Sequence, residues 1–244
     1  MKKIIIALFF IFKTYSIQAT QFGPVEMTDP LTNEKVPAFT VMSYGSYIYN
    51  WPSKYDLIFW PLSDEKWICI NLKNGYAAFN NDFEKITEAE KTNLKKWLAG
   101  NYSQKRMPTT HIEKLLWLEQ LYRQRQMDDD FWSQFYRLMA YVYSDNPDKS
   151  IEYVKKAIPL LHVKLKSKPK GIKRIEVLFL LGDYYRRLNE PEKSLKYFKK
   201  VKAARYKDND GKTKTGHPYF MEMINDRENL LKNQSFSNPD IIEH

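Results

Sequence analysis

The sequence is short of the residues from which most catalytic and metal centres are built. Its 244 residues include one cysteine, Cys69, and four histidines, so an internal disulfide is impossible and a cysteine-rich metal cage is excluded. His111, His162, His217 and His244 are scattered along the chain, none with a cysteine or carboxylate at a metal-ligand spacing. A glycine-rich phosphate loop, a nucleophile elbow and a zinc-protease motif are all missing. Glycine is scarce too, 8 residues against 17 Tyr and 14 Phe, which points to helices interlocked through large rings with few flexible linkers. There is no low-complexity segment, and a hydrophobic content of 43% is enough for one or two real cores. These absences weigh against an enzyme and imply no cofactor.

What is present begins with charge. The formal net charge is +10, from 39 Lys and Arg against 29 Asp and Glu, a balance that favours acidic partners. The densest basic cluster, Lys164, Lys166, Lys168, Lys170, Lys173 and Arg174, reads as a solvated loop. No nucleic-acid motif accompanies it, so nucleic acid is not an expected partner. An anionic membrane surface is the remaining reading of the charge.

The N-terminus has the layout of an export signal. Met1-Lys2-Lys3 is basic, Ile4 to Phe12 is a nine-residue apolar run, and Ser16-Ile17-Gln18-Ala19 ends on a small residue. A permanent membrane anchor needs about 20 apolar residues. Residues 1–19 are therefore expected to be a signal peptide cleaved after Ala19, and the mature chain to be periplasmic or secreted. Lys13 and the bulky Ile17 depart from the usual pattern, and an apolar first strand in a cytosolic chain is the competing reading.

From Thr20 to about Asp82 the signals are those of strands. Pro37 to Tyr49 alternates small, aromatic and β-branched residues, and Trp67 to Leu72 is a short apolar run ending before Asn74-Gly75, a hairpin dipeptide. Tyr76 to Phe79 is the returning strand. Cys69 in such a strand is a buried, inert hydrophobe. After Asp82 the period changes to about 3.6. Thr87-x-x-Glu90 and Thr110-x-x-Glu113 are capping boxes that open two helices, the first ending near Gly100. Asp128 to Asp130 caps a third helix running to about Tyr143, a carboxylate cluster that the helix dipole explains without a metal. Asn146-Pro147 starts a fourth, reaching about Leu165.

The strongest motif follows. Leu178, Leu181, Gly182 and Tyr185, then Ser194, Phe198 and Val201, stand at the spacing of a tetratricopeptide helical hairpin. Gly182 lets the two helices approach, Tyr185 fills the space beside it, Ser194 is the small residue at the crossing, and Phe198 plugs the pair. Phe135 to Pro159 reads as a degenerate earlier copy whose turn is two residues shorter. Asp208-Asn209-Asp210-Gly211 begins like a calcium loop, but the later Glu it needs is absent. A last helix, His217 to about Lys232, is expected to cap the array.

The expected organisation is thus α+β and mostly α. It comprises a small antiparallel β domain over 20–83, a tetratricopeptide-like helical domain over 84–232, and a flexible tail over 233–244. In this order the chain resembles the bacterial domain-of-unknown-function family 2225, from about Val25 to Lys232. The matching pieces are Leu180 to Leu188, Ser194 to Phe198, and Trp67-Ile68-Cys69 leading to Gly75 to Phe79 with Asp82-Phe83. The resemblance implies two Cys-x-x-Cys knuckles holding a structural zinc in the β segment. This chain departs from that pattern. Asp29 to Asn33 stands at the first knuckle and only Cys69 remains at the second, so the β segment is expected to be a degenerate zinc ribbon, free of metal and held by aromatic packing.

Three functions compete at this point. The first is a scaffold presenting a helical groove to a protein or peptide. The second is an enzyme with a site at the sheet–helix junction using Asp56, Asp82 or a Tyr. The third is a binder of anionic surfaces.

Overall fold

The computed structural model describes residues 21–43 and 61–235. The signal reading over 1–19, the end of the Pro37 to Tyr49 segment, Asp56, His244 and most of the tail lie outside the described residues. The chain is α+β, mostly α. Strands β1 (Gln21–Thr28) and β2 (Lys35–Ser43) form one antiparallel pair, and β3 (Ile68–Ile70) and β4 (Ala77–Phe79) a second. Helices α1 (Glu88–Asn101), α2 (His111–Tyr122), α3 (Asp129–Val142), α4 (Pro147–Lys166), α5 (Gly171–Arg187) and α6 (Pro191–Ala203) follow. A third pair, β5 (Arg205–Lys207) with β6 (Thr213–Thr215), precedes α7 (Pro218–Lys232). No helix among the described residues is long and apolar enough to cross a membrane.

Local chemistry sets most helix ends. Thr87 with Glu90, and Thr110 with Glu113, form complete capping boxes, each satisfying two backbone donors that the first turn leaves unpaired. Asp128 accepts the Phe131 N–H (2.7 Å) and Asn146 the Lys149 N–H (3.2 Å). Gly100 does not end α1, which continues through Asn101. Helix α4 runs through Pro159 to Lys166, close to the end near Leu165 read for the fourth helix. Asn189, with φ at 56°, turns the chain between α5 and α6, and Pro191 opens the next helix.

The buried apolar residues, from Leu31 to Ile224, form one contiguous core that spans strands and helices. β4 carries Ala77, Ala78 and Phe79 into it. Gly75 sits beneath Tyr102: its φ is +80°, and a Cβ there would stand 2.1 Å from the Tyr102 ring. The Trp117 indole N–H donates to the Gly75 carbonyl (2.8 Å) and the Tyr102 hydroxyl to the Leu72 carbonyl. The second hairpin turn is thereby clamped to α1 and α2.

In the α5–α6 pair the ring of Phe198 lies over Gly182. A Cβ on Gly182 would stand 2.4 Å from Phe198 Cε1, so the close approach requires glycine. Leu178, Leu181, Ser194, Phe198 and Val201 are all buried. Tyr185 is placed differently from the sequence reading, because Phe198 already fills the space beside Gly182. It is half-buried, stacked on Tyr197 (5.6 Å between centroids) and bonded to His162 Nε2 (3.0 Å). In the α3–α4 pair, Ser150 donates to the Ala140 carbonyl (2.5 Å) and accepts from Arg187 Nη2 (2.5 Å), linking the two pairs.

The β5–β6 pair was not foreseen. Its strands are three residues long and largely exposed, with Tyr206 alone buried against His217. Asp208 organises the turn by accepting the N–H groups of Asp210 (3.1 Å) and Lys212 (2.8 Å) and the Lys214 ammonium (2.7 Å). Beneath it, Asp183 of α5 meets Arg186 Nε at 2.7 Å and Arg227 Nε of α7 at 3.1 Å. Burial works to raise the Asp183 carboxyl, but the two guanidinium groups prevail and hold it at about 2.

Two outcomes are expected. Gly182→Ala should cost about 1–3 kcal/mol by overpacking against Phe198, and Phe198→Leu in the same chain should recover part of it in urea titrations. A folded-state pKa below the unfolded value of about 3.9 for Asp183 means stability that is present above pH ~4 and lost as pH falls towards ~2. Denaturation midpoints of the wild type and Asp183→Asn should therefore converge across that window.

Candidate functional site

The junction of strands and helices holds an aromatic pocket. The backbone N–H of Phe79, at the end of β4, donates to the Tyr122 hydroxyl (3.0 Å) at the end of α2. Around that bond the rings of Phe79, Tyr122, Phe131 and Phe135 pack in sequence, with centroids 5.9 Å apart for Phe79 and Tyr122, 4.6 Å for Tyr122 and Phe131, and 5.9 Å for Phe131 and Phe135. They wall a cavity of about 470 Å³ completed by Trp67, Met127 and Leu138. Burial pushes the Tyr122 phenol well above its usual pKa, so it serves as a neutral hydrogen-bonding group.

Among the described residues one carboxylate lines this cavity, and it is already engaged. Asp82 lies on the rim, where Arg125 binds it through two bonds, Nη1 to Oδ2 at 2.6 Å and Nη2 to Oδ1 at 3.1 Å. The same guanidinium donates to the Lys85 carbonyl (2.7 Å) and to Glu90 Oε1 (3.3 Å). Burial works to raise the Glu90 carboxyl, but hydrogen bonds from Thr87 and the charge of Arg125 bring it below its ordinary value. Convergent carboxylates of the kind a hydrolytic site needs are not found at this junction among the described residues.

The pocket has two neighbouring depressions. Phe131 and Gln134 of α3 line both the aromatic cavity and a second depression of about 420 Å³, shared with Arg137, Leu161 of α4, and Val177 and Leu180 of α5. Asp130, Lys164 and Glu176 in turn belong both to that depression and to a third of about 750 Å³, which ends at Asp129, Ser167 and Lys173. The three form a row of adjacent depressions along α3, from the strand junction to the start of α5. The row is aromatic at one end and charged at the other, where Lys164 pairs with Asp130 (3.0 Å).

The residues singled out from the sequence fall in two places. Leu178, Leu181, Gly182, Ser194, Phe198 and Val201 lie in the interior of the α5–α6 pair and line none of the three depressions. Val177 and Leu180, with Lys173 and Glu176, are the α5 residues that line the depressions. Asp128 is a helix cap, and the Lys164 to Arg174 cluster contributes Lys164 and Lys173 to the charged end. Phe131, Gln134 and Arg137 were missed. Their i, i+3, i+6 spacing along α3 was the available signal, but it reads as an ordinary packed face until α5 is known to lie opposite.

The zinc site implied by the resemblance does not fit this chain. Cys69 is not in a turn: it is buried in β3 opposite Ala78. Its thiol is pushed up to about 12, by burial first and then by the nearby charges of Asp29 and Glu84. No thiolate ligand is on offer there. Among the described residues no group of three or more His, Cys, Asp or Glu side chains is placed to hold a metal ion.

Comparison with known proteins supplies one match. The model of a family described as an uncharacterised protein conserved in bacteria (DUF2225) matches residues 46–217. The match is shorter than the Val25 to Lys232 span read from the sequence, and β1 and β2 lie outside it. No curated protein and no solved structure matches the chain.

Removing the guanidinium from the junction tests its role. Arg125→Met leaves Asp82 and Glu90 without their shared counter-charge and is expected to cost about 3–5 kcal/mol of folding stability. Asp82→Asn, which keeps an acceptor on a partly exposed rim, should cost clearly less in the same chemical denaturation assay.

Proposed function

We propose that this chain, which belongs to the bacterial family described as uncharacterised (DUF2225), is a non-catalytic scaffold that holds a protein or peptide segment in the groove over α3. The observation that carries this reading is the sharing of Phe131, Gln134, Asp130, Lys164 and Glu176 between adjacent depressions, which in this reading serve together as one binding surface. In this reading α3–α4 and α5–α6 are tetratricopeptide-like pairs, and stacked helical pairs of that kind generate extended binding surfaces. An apolar side chain of the partner would enter the ring-lined cavity, where burial of aromatic area supplies most of the affinity. Asp129, Asp130, Lys164, Lys173 and Glu176 would read the charges that flank it. The engagement of Asp82 and Glu90 by Arg125 supports a non-catalytic role, since neither is left to act as a base.

Export completes the proposal. Met1-Lys2-Lys3, the Ile4 to Phe12 run and Ala19 support passage to the periplasm or the outside through a cleaved signal peptide. No cofactor is part of this reading. Its charge also permits contact with an anionic membrane surface, which salt would weaken steeply.

A photo-reactive residue at position 134 should crosslink to one defined polypeptide in the native compartment, whereas the same residue at exposed Leu195 should not. Phe131→Arg should weaken that capture about tenfold or more with the helical circular-dichroism signal unchanged. Equal capture from both positions, or indifference to Phe131→Arg, would remove the groove from consideration. In fractionation, deleting residues 1–19 should hold the chain in the cytoplasm, and unchanged fractionation would dispose of the export reading.

A further inference from the structure

The turn joining β1 to β2 and the turn joining β3 to β4 have the same internal wiring. In the first, the Asp29 N–H donates to the Glu34 carbonyl (2.8 Å) and the Asn33 N–H to the Asp29 carbonyl (2.7 Å). In the second, the Asn71 N–H donates to the Tyr76 carbonyl (2.8 Å) and the Gly75 N–H to the Asn71 carbonyl (2.8 Å). The fifth residue of each turn is left-handed, with φ at 63° for Asn33 and 80° for Gly75. The side chains repeat the pattern as well. Asp29 Oδ1 accepts from Leu31 N–H (2.7 Å) and Asn71 Oδ1 from Lys73 N–H (3.0 Å), each from the residue two ahead. Thr32 Oγ1 takes the Glu34 N–H (3.4 Å) and Asn74 Oδ1 the Tyr76 N–H (2.8 Å), again two ahead.

Residue for residue, Asp29 corresponds to Asn71, Thr32 to Asn74, and Asn33 to Gly75. The first and fourth positions of both turns stand at the spacing of paired Cys-x-x-Cys ligands. The second set of knuckle positions is thus Asn71 and Asn74, and not Cys69, which lies two residues upstream in β3.

A carboxylate occupies the space between the turns. Asp29 is wholly buried, and its Oδ2 accepts from Asn71 Nδ2 (2.5 Å) and from Asn74 Nδ2 (2.6 Å). Both amide oxygens are committed to backbone N–H groups, so both NH₂ groups face inward. A centre lined by donors repels a cation and suits an anionic oxygen. Hydrogen bonds to an ionised acceptor are also among the strongest that side chains make. On the outside, Lys73 pairs with Glu34 across the same two turns (2.9 Å).

We propose that the Asp29 carboxylate is a built-in replacement for a metal ion, a buried anionic clasp that holds two metal-knuckle turns together through Asn71 and Asn74. The β segment is therefore tied by this clasp and not by aromatic packing alone.

The full chain tests this directly. Wild-type protein purified in zinc-containing medium should carry far less than one metal per chain after dialysis, and its melting temperature should not respond to a chelator. Asp29→Ala should lower that temperature by about 5–10 °C. Asn71→Ala should cost less in the Asp29→Ala background than in the wild type, because the bond they share is already gone. The variant D29C/T32C/N71C/N74C should bind one Co²⁺ with the spectrum of a tetrahedral four-thiolate site, and should be more stable with Zn²⁺ than without. One tightly held metal in the wild type, a chelator-sensitive melt, or unchanged stability of Asp29→Ala would overturn the proposal. So would a folded four-cysteine variant lacking the four-thiolate spectrum. Should that variant fail to fold, the wild-type metal content and the Asp29→Ala melt still decide the question.

Discussion

The guanidinium of Arg125 is the point on which the rest of the molecule depends. It follows the end of α2, yet its bonds run to Asp82 after β4, to the carbonyl of Lys85, and to Glu90 at the start of α1. A planar group with five donors can satisfy that many acceptors from one buried position, which a lysine ammonium cannot do. It ties the segment after β4 to the start of α1 and the end of α2. The aromatic cavity lies beside it, with Asp82 on its rim, so the same knot also neutralises the Asp82 carboxylate facing the pocket.

The two helical pairs close their crossings in different ways. In α5–α6 the absence of a side chain at Gly182 lets Phe198 press against the backbone, while in α3–α4 Ala140 and Ser150 make the crossing through a hydrogen bond. Arg187 then reaches from one pair to the other through Ser150. Small residues at these crossings let the helix backbones approach closely.

The parts of this structure that were legible in the sequence are those specified within a few residues. Both capping boxes, the Asn146-Pro147 start and the hairpin at Asn74-Gly75 are local chemistry. So is the crossing of α5 and α6, because its seven positions lie within 24 residues of one another. Tyr185 was assigned a space that Phe198 fills, since periodicity gives a face of the helix but not which ring wins it. The β5–β6 pair escaped notice because three exposed residues per strand carry no alternation. The row of depressions along α3 could not be read at all: Gln134 and Val177 are 43 positions apart, and nothing in either segment names the other. At the β segment, attention to the thiol led to Cys69, whereas the informative pattern was the likeness of Asp29-x-x-Thr32-Asn33 to Asn71-x-x-Asn74-Gly75.

The contact between Asp29 and Asn71 joins positions separated by 42 residues, and this separation carries an entropic consequence. Closing a flexible loop costs free energy that grows only with the logarithm of its length, about 0.6 kcal/mol for each doubling. Doubling the separation in sequence would cost the clasp only about that much, so the strength of the contact is set by the bonds at the two turns and not by the length of chain that separates them.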